Sequence, residues 1–539
     1  MKWFVLSWLL WGINLTAMGE VPNKSVWFQG SVQAAFDQAK KQKKPIFLYW
    51  GAVWCPPCNE IKSEVFSRPK FAELMKPMIA VYLDGDTERA QVWGDKLNIA
   101  GYPTILMYAA DGKEMVRLSG GIDLEEFSEA ITSVLLGKRP LRDTLNLASQ
   151  GKLSKEEWKT LAFLSWGQVD EKEIGYQGSD WLALKKKIVD QIPKDLLVEK
   201  AIITAHLLEA AAEASQKHQD SLKKNSKKPK KDNEDLNKAK KIADKIRQTP
   251  SYFDSLFANN KTIRAVRSTF AWSGSTFAKF YFPEGIKNNE KAWQAWKEKW
   301  WQTSKKLMED QSISVDIRLW LANAEVALHL FPDGKKEDLP KNIIDRIKQA
   351  AAKADKEAVT NFQRHSVISG AAYMLRSIGD INGARTLLKK ELKSTDTPWY
   401  YQSSLASLEK EAGNDAVALD WIEKARKSAT GRATKLQWTV SDLLMNITIK
   451  SKTQKKRIKN LVSEYYKVAF DLKDGFSGRN FYRAKRVAQQ IQPFLSNQDI
   501  LKVIKSWSAK CNKQDRTFQE SCKEHFEMVL NQKTEQMKL

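Results

Sequence analysis

Residues 45–66, PIFLYWGAVWCPPCNEIKSEVF, join an apolar run to two cysteines that are separated by two prolines. The apolar run is continuous rather than alternating, which is typical of a central strand covered on both faces of its sheet. Proline is tolerated in the first turn of a helix, so a helix is predicted to open within the cysteine pair and to continue through NEIKSEVF. A strand that delivers a cysteine pair to the start of a helix indicates an α/β fold.

The sequence around this segment alternates between predicted helices and strands. A helix with apolar residues at helical spacing comes before it, and a second buried strand, MIAVYLD, comes after it. A helix is predicted for ERAQVWGDKLNI, and TILMYAADGKEMVRLSGG predicts two strands that turn at Asp111–Gly112. An amphipathic helix with Asp123 as its N-cap closes the unit. We therefore predict an α/β domain over residues 20–139.

Three roles are open to Cys55 and Cys58: metal binding, a structural staple, or electron transfer. Zinc normally takes four ligands, whereas this chain has no second CxxC and its five histidines are scattered. At a helix start, unpaired N–H groups and the helix dipole favour a thiolate at Cys55. Cys58, one turn further along, can then resolve a mixed disulfide. We predict a redox pair, and we expect no metal and no other cofactor.

The segment IAGYPTILMY lies about 45 residues after the cysteines, immediately before and within a predicted strand. Its Tyr102–Pro103 step is where a cis-proline could pack against the cysteines. Cis X–Pro bonds are rare in folded proteins and mark a tight structural requirement. The strand, the helix and this proline together strengthen the prediction of a redox site.

With WCPPC, GYPTI and this order of elements, residues 26–137 resemble the thioredoxin superfamily. The resemblance is to the exported thioredoxin-like domains related to the C-terminal domain of the transmembrane reductase DsbD, and it covers roughly a fifth of the chain. It implies that Cys55 is the exposed nucleophile, that Cys58 is the buried resolving thiol, and that Pro103 is the cis-proline.

The same resemblance places Trp54 beside the site and pairs the backbone of Tyr102 with an extended substrate segment. One position departs from the family, which commonly has a buried aspartate six residues before the first cysteine. Tyr49 stands there, and a phenol with an unperturbed pKa of about 10 is a poor base at neutral pH. Glu60 and Tyr49 are the possible proton relays, and water is a further alternative.

After Pro140 the strand signals end, and residues 140–539 predict a large all-α region. Two segments repeat with an offset of 34 residues, which brings Gly379 into register with Gly413. The period and pattern resemble tetratricopeptide repeats, so we predict stacked helical hairpins near residues 366–426.

Residues 215–235, SQKHQDSLKKNSKKPKKDNED, have almost no apolar side chains and predict a disordered segment. The whole chain carries a formal charge of +24, which favours anionic partners. That charge is spread widely, and no nucleic-acid-binding motif accompanies it. We therefore expect no specific nucleic acid.

Residues 1–19 predict a signal peptide. A short positive end precedes the apolar run WFVLSWLLWGINL, and Ala17 and Gly19 are small residues at the spacing of a cleavage site. The run is short for a membrane-spanning helix, which needs about 20 apolar residues. A periplasmic or secreted protein is expected, with an uncleaved N-terminal anchor as the alternative.

The remaining cysteines, Cys511 and Cys522, lie in the predicted helical region. An even, small number of cysteines in an exported protein favours disulfides over zinc. We expect a structural disulfide between two helix ends, with a second redox pair as the alternative.

Two functions follow from these features. The first is an exported thiol–disulfide oxidoreductase that reduces protein disulfides. It would receive its electrons from an inner-membrane donor of the DsbD or CcdA type. Its helical repeats would bind substrates or a protein partner. The alternative is a non-catalytic helical-repeat scaffold in which the thioredoxin-like domain serves as a peptide-binding module.

Overall fold

The structure is a computed structural model. It describes residues 21–94, 96–99, 101–118, 120, 123–137, 139–169, 171–223, 230–285, 289–449 and 454–530. The predicted signal peptide lies outside the described residues. Within the described ranges, none of the helices has the length and apolar character needed to cross a membrane.

The N-terminal part of the chain is an α/β unit built on a four-stranded sheet. Its elements are α1 Val32–Gln42, β1 Ile46–Gly51, α2 Pro56–Ile61, α3 Pro69–Met75, β2 Ile79–Asp84, α4 Glu88–Gln91, β3 Thr104–Tyr108, β4 Glu114–Leu118 and α5 Leu124–Gly137. The strand order is β2-β1-β3-β4, and β1 is parallel to β2 but antiparallel to β3, which in turn is antiparallel to β4. A π-helical turn, Lys62–Phe66, continues α2.

Both faces of β1 are buried, as the continuous apolar run predicts. Leu48 and Trp50 pack on the side of α1, whereas Phe47 and Tyr49 pack on the side of α2, α3 and α5. Since the side chains of a strand alternate between the two faces of a sheet, helices on both sides leave no polar face in this strand. The central strand is thereby fixed in the middle of two apolar layers.

Two local predictions have different outcomes. The hairpin turns at Gly112, whose φ of +86° is left-handed, and Asp123 accepts hydrogen bonds from the backbone N–H groups of Glu125 and Glu126 as an N-cap. The helix predicted for ERAQVWGDKLNI is wrong in length, because α4 has only four residues and ends in turns.

Helices make up the rest of the described chain. They are α6 Leu141–Ala148, α7 Lys155–Ala162, α8 Glu171–Ile174, α9 Gly178–Gln191, α10 Leu197–Lys223, α11 Lys230–Arg247, α12 Pro250–Ser255, α13 Asn260–Ala265, α14 Arg267–Trp272, α15 Gly274–Tyr281, α16 Glu290–Glu309, α17 Val315–His329, α18 Lys341–Glu357, α19 Asn361–Ser377, α20 Ile381–Glu391, α21 Pro398–Glu411, α22 Asp415–Ser428, α23 Arg432–Thr448, α24 Gln454–Phe470, α25 Phe481–Ile491, α26 Gln498–Ser508 and α27 Arg516–Leu530. The predicted fold class, an α/β unit followed by a large all-α region, is confirmed.

The repeated sequence forms two consecutive helical hairpins, α19–α20 and α21–α22. Gly379 and Gly413 turn the two hairpins with φ values of +81° and +78°, a left-handed conformation that glycine adopts without steric cost. Ala384 and Ala418, also related by the offset, are both fully buried. The equivalence of the two hairpins is therefore structural, and their assignment to the tetratricopeptide class stays a prediction.

The prediction of disorder over 215–235 is wrong for its two ends. Residues 215–223 belong to α10 and residues 230–235 to α11, while 224–229 lie outside the described residues. The two helices pack against each other, and Ala243 and Ile246 of α11 are buried. Asp235 accepts hydrogen bonds from the backbone and hydroxyl of Ser179 at the start of α9. Tertiary contacts thus stabilise helices that composition alone does not favour.

The helical region folds back over the α/β unit. α19 packs against α2, the helix that carries the cysteine pair. On another side, Arg267 of α14 is almost fully buried and makes two hydrogen bonds, of 2.5 and 2.6 Å, to the carboxylate of Glu126 in α5. A bidentate, charge-assisted pair of this kind fixes orientation as well as distance. The cysteine pair therefore lies at an interface between the two parts of the chain.

Candidate redox site under the helical region

Cys55 and Cys58 are joined by a disulfide at the start of α2. Cys55 is the N-cap residue in an extended conformation, and its Sγ accepts a hydrogen bond of 3.3 Å from the backbone N–H of Cys58. Pro56 and Pro57 occupy the first helical positions, where a missing N–H leaves no partner unsatisfied. Asn59 donates to the carbonyl oxygens of Val53 and Cys55, which ties the strand end to the helix.

The structure brings the predicted cis-proline loop to the cysteine pair. The Tyr102–Pro103 peptide bond is cis. Cys55 and Cys58 share a small apolar cluster with Trp54 and Tyr102, whose rings meet edge to face with centroids 5.7 Å apart. The carbonyl oxygen of Pro103 accepts a hydrogen bond of 3.2 Å from Gln168, which lies outside the sheet. Trp54, the cysteines and the Tyr102–Pro103 step thus form one site.

The implied exposure of Cys55 is wrong in this chain. Cys55 is 3% exposed and Cys58 is fully buried. Cys55 clusters with Ala52, Trp54 and Tyr102, and the helical region packs in turn against α2 and against Trp54. The Trp54 indole stacks on Tyr400 with centroids 6.2 Å apart and meets the ring of Trp438 at 6.5 Å. A partner can reach the pair only where the two parts of the chain leave space.

A chain of hydrogen bonds joins Trp54 to the helical region. Its indole N–H donates to the hydroxyl of Thr434 at 2.7 Å, and that hydroxyl donates to the carboxylate of Asp86 at 2.5 Å. Asp86 also accepts from the backbone N–H of Thr434 at 2.8 Å, in the first turn of α23. Burial raises the pKa of Asp86, and these hydrogen bonds oppose that rise because they stabilise the carboxylate.

A second contact holds the cis-proline loop. Arg479 donates to the hydroxyl of Tyr102 and to the side-chain oxygen of Gln91, both at 2.5 Å, and to Asp474 at 2.8 Å. Its guanidinium lies 5.7 Å from the ring centroid of Trp50 and 5.9 Å from that of Tyr102. Burial raises the pKa of Tyr102 to about 12, so this phenol remains protonated at neutral pH. Arg479 therefore holds the cis-proline loop against the helical region through a hydrogen bond to a protonated tyrosine.

The two proposed proton relays differ in what they contact. Tyr49 is fully buried, burial raises its pKa well above 10, and its hydroxyl has no hydrogen-bond partner in the described part of the chain. Glu60 accepts a hydrogen bond of 2.7 Å from Ser314, and burial raises the pKa of its carboxyl. Asp316, two residues after Ser314 in the first turn of α17, has its own pKa raised by burial and by the charge of Glu60. Tyr49 is unsuited to accept a proton, whereas Glu60 is suited to hold one.

A buried lysine lies one helical turn beyond Cys58. Lys62 is 1% exposed, and burial lowers its pKa to about 8. Asp84, at the end of β2, has its pKa raised to about 6 by burial and lowered in part by the charge of Lys62. Lys62 is also 5.8 Å from the ring centroid of Phe362 in α19. Lys62 and Asp84 are therefore two buried titratable side chains close to the helix that carries the cysteines.

The second pair of cysteines lies elsewhere in the molecule. Cys511 and Cys522 form a disulfide with an S–S distance of 2.05 Å, inside an apolar cluster of the last helices. His525, one turn after Cys522, is fully buried, and its Nε2 lies 3.3 Å from the hydroxyl of Tyr466. The surroundings of this disulfide share no residue with the cluster around Cys55.

A cavity of about 590 Å³ adjoins the redox turn. Pro56 and Pro57 form one wall, and the helical region forms the others. The lining residues contributed by the helical region are Trp272, Asp316, Trp320, Ser366, Ser369, Gly370, Ala372, Tyr373, Arg376, Leu388, Tyr400, Ser403, Ser404, Ser407, Leu408 and Trp438. The cavity therefore lies between the prolines next to Cys55 and the helices α19 and α21, which are the first helices of the two repeated hairpins.

Sequence reasoning missed the residues that cover the site. A signal for Asp86 existed, since β1 and β2 are parallel neighbours with Gly51 opposite Asp84, and residues that follow such strands share one edge of the sheet. No comparable signal identified Thr434 or Arg479, which lie hundreds of residues away in the sequence.

Comparisons with known proteins agree with this geometry. A family described as a thioredoxin-like domain matches residues 32–135. The thiol:disulfide interchange protein DsbD of Salmonella typhi is 30% identical over 120 residues, which cover 22% of this chain and 19% of that protein. DsbD of Pseudomonas fluorescens is 29% identical over 107 residues, 19% of this chain and 18% of that protein. The chain thus spans less than a fifth of the length of these relatives. Residues 32–135 of this chain are a thioredoxin-like domain.

Proposed function

We propose that this chain is an exported thiol–disulfide oxidoreductase that reduces protein disulfides with Cys55 and Cys58. One observation carries the proposal. The pair is closed as a disulfide at the N-cap of α2, where the Cys58 N–H donates to the Cys55 sulfur at 3.3 Å. In the reduced pair, a hydrogen bond of this kind favours the thiolate over the thiol at Cys55, and the thiolate is the nucleophile in disulfide exchange.

The exchange takes two steps. The Cys55 thiolate attacks one sulfur of a substrate disulfide, so a mixed disulfide forms while the substrate S–S bond breaks and its leaving thiolate takes up a proton. Cys58 then loses its proton and attacks the Cys55 sulfur, which closes the Cys55–Cys58 bond and releases the second substrate thiol. Two electrons pass from the cysteine pair to the substrate. The buried position of Cys58 limits it to this intramolecular role.

Glu60 is the proposed proton carrier for this cycle. Its carboxyl is buried against Ser314, and a raised pKa brings it closer to half-protonation at neutral pH than an exposed glutamate. Tyr49 does not share this role, because burial holds it in the protonated state.

The direction of electron flow and the location are part of the same proposal. The matched relatives are named thiol:disulfide interchange proteins, which supports a partner of the DsbD type that returns electrons to the pair. The predicted signal peptide supports a periplasmic location. The helical region is proposed to present substrates, since it covers the site and lines the cavity beside it.

The test compares two cysteine variants of the full chain after pre-reduction. Cys55→Ser is expected to abolish the reduction of a disulfide-bonded protein substrate such as insulin, measured as thiols transferred per chain. The matched control is Cys511→Ser with Cys522→Ser, which is expected to retain the activity because that pair lies in a separate cluster. Full activity in Cys55→Ser contradicts the proposal.

The 3% exposure of Cys55 favours a second candidate, a scaffold that binds peptides without exchanging thiols. Replacement of both Cys55 and Cys58 by alanine distinguishes the two. A scaffold retains its full cellular function in this variant, whereas an oxidoreductase loses it.

A further inference from the structure

We propose that the cavity beside Pro56 and Pro57 binds an extended, uncharged peptide segment that carries the substrate cysteine. The proposal rests on the proposed function, because it names the class of substrate that the redox pair receives. The cavity is defined by the two prolines and by one face of α19 and α21, which carries Ser366, Ser369, Tyr373, Ser403, Ser404 and Ser407.

The position of the cavity next to Cys55 is the first reason for this proposal. Cys55 itself is 3% exposed, and the hydroxyl of Tyr102 on the cis-proline loop is occupied by Arg479. The open space next to the nucleophile is on the side of Pro56, the residue that follows it. The same cavity is lined by Tyr400 and Trp438, which contact the ring of Trp54 on the other side of the nucleophile.

Hydroxyl groups in the lining are the second reason. Ser403, Ser404 and Ser407 of α21 line the cavity. A hydroxyl can both donate and accept a hydrogen bond, so these groups can bond the main-chain N–H and C=O groups of an extended peptide.

Aromatic surface at the same cavity is the third reason. Trp272 is 45% exposed and Tyr373 is 48% exposed, and both lie within 7 Å of Trp320, with centroid distances of 6.5 and 5.6 Å. Large aromatic side chains left in contact with solvent at a cavity are typical of a binding surface for apolar side chains. A peptide supplies both the carbonyls and the apolar side chains that such a lining accepts.

Charge selects against small ionic disulfides. Of the described residues that line the cavity, Asp316 and Arg376 are the charged types. Arg376 forms a salt bridge with Glu411, and burial raises the pKa of Asp316 well above its usual range, which favours the neutral acid. A cavity whose described lining has one cation, already paired with Glu411, does not favour the several carboxylates of glutathione disulfide. Its volume of about 590 Å³ admits a short segment but no folded domain.

Binding is tested on the oxidised full chain with a non-reacting probe. The probe is a synthetic hexapeptide without charged side chains, with blocked ends, a central phenylalanine and serine in place of cysteine. Titration calorimetry is expected to show saturable binding to the wild type. Ser404→Phe, which fills the cavity from α21, is expected to weaken the affinity about tenfold or more. The matched control Ser506→Phe, at an exposed position of α26, is expected to leave the affinity unchanged.

Ser403→Ala with Ser407→Ala is a second variant, which removes two lining hydroxyls without adding bulk. It is expected to weaken binding about five- to tenfold, the range for one to two hydrogen bonds. Equal affinity in wild type, Ser404→Phe and this double variant, or no binding at all, overturns the proposal.

Exchange assays separate this proposal from the proposed function. The pre-reduced chain, in a Cys511→Ser/Cys522→Ser background, reacts with the same peptide carrying cysteine as a thionitrobenzoate mixed disulfide, and with glutathione disulfide. A faster reaction with the peptide, slowed by Ser404→Phe, supports the cavity as substrate site. Reaction with glutathione disulfide at an equal or greater rate, unaffected by Ser404→Phe, overturns the cavity proposal while the oxidoreductase stands. Peptide binding without any exchange overturns the oxidoreductase itself.

Discussion

The indole N–H of Trp54 donates a hydrogen bond of 2.7 Å to the hydroxyl of Thr434, a residue 380 positions later in the sequence. Trp54 immediately precedes the candidate nucleophile, and Thr434 lies in the first turn of a helix from the all-α region. The redox turn and the helical region are therefore joined at the residue that flanks the chemistry. The environment of Cys55 is a property of the whole chain and not of its thioredoxin-like domain alone.

Removing the Thr434 hydroxyl should loosen this contact. Thr434→Val loses the bond from Trp54 and leaves the carboxylate of Asp86 with fewer donors, so we expect a cost of about 1–3 kcal/mol in the free energy of unfolding. The reduced variant should also react faster with iodoacetamide at Cys55. Thr448→Val, at an exposed position of the same helix, is the control and should change neither quantity. An unchanged alkylation rate in Thr434→Val contradicts a covering role for α23.

Arg479→Met should destabilise the molecule more strongly. The substitution removes the guanidinium of an arginine that is 9% exposed and leaves Asp474, which is 2% exposed, without its ionic partner. Breaking a buried pair by deleting one member typically costs about 3–5 kcal/mol, which urea denaturation can measure. Arg479→Met combined with Asp474→Asn should recover part of the loss. Arg516→Met, at a side chain that is 91% exposed, should lie within the error of the wild type.

Lys62 gives the molecule a stability that rises with pH in the alkaline range. Its pKa is about 8 in the folded chain, whereas an unfolded lysine has a pKa of about 10.4. Between these values the unfolded chain binds the extra proton, so the free energy of unfolding increases with pH, by about 3 kcal/mol in total. Below pH 8 the buried lysine is protonated and its full cost is present.

The matching experiment measures the free energy of unfolding from pH 7 to pH 10 in Lys62→Met and in Lys76→Met. Lys62→Met should be more stable than the wild type at pH 7, and its rise above pH 8 should be smaller than that of the wild type, because Lys185, whose pKa burial also lowers to about 8, still contributes. Lys76 is exposed, so its replacement should preserve the rise. A parallel pH dependence in wild type and Lys62→Met would show that the lysine is solvated in the folded protein.

The disulfide between Cys511 and Cys522 should be structural. It closes a loop with a sequence separation of 11, for which the loop-entropy estimate is about 3 kcal/mol. Cys511→Ser with Cys522→Ser should lower the free energy of unfolding by about that amount and should leave thiol exchange at Cys55 intact. Loss of exchange in a folded double variant would instead assign this pair a redox role.

The local sequence pattern was sufficient to predict those parts of the structure that depend on residues close together in the sequence. The continuous apolar run predicted the central position of β1, and the cysteine pair with its prolines predicted the start of α2. The 34-residue offset likewise brought Gly379 and Gly413 to equivalent turns. In each case a few consecutive residues contain the physical cause, such as a left-handed glycine or a missing N–H.

Long-range packing was not predictable in the same way. The resemblance implied an exposed Cys55, but this residue is 3% exposed, and the helices that pack on α2 and on Trp54 beside it come from residues more than 300 positions away. The prediction of disorder for the lysine-rich segment failed for a similar reason. Asp235 accepts a hydrogen bond from Ser179, and the apolar face of α11 packs against α10. Such contacts depend on which helices meet, and composition does not encode that choice.

The most direct measurement is the redox equilibrium of Cys55 and Cys58 with glutathione, in a full chain whose Cys511 and Cys522 are replaced by serine. The fraction oxidised is read by alkylation and mass spectrometry after it stops changing, so slow access to the buried pair does not alter the result. We predict one two-electron transition with a midpoint near that of thioredoxin, about −270 mV. A midpoint of about −120 to −180 mV would contradict the reductive direction. A pair that exchanges only after the chain is denatured would contradict the oxidoreductase.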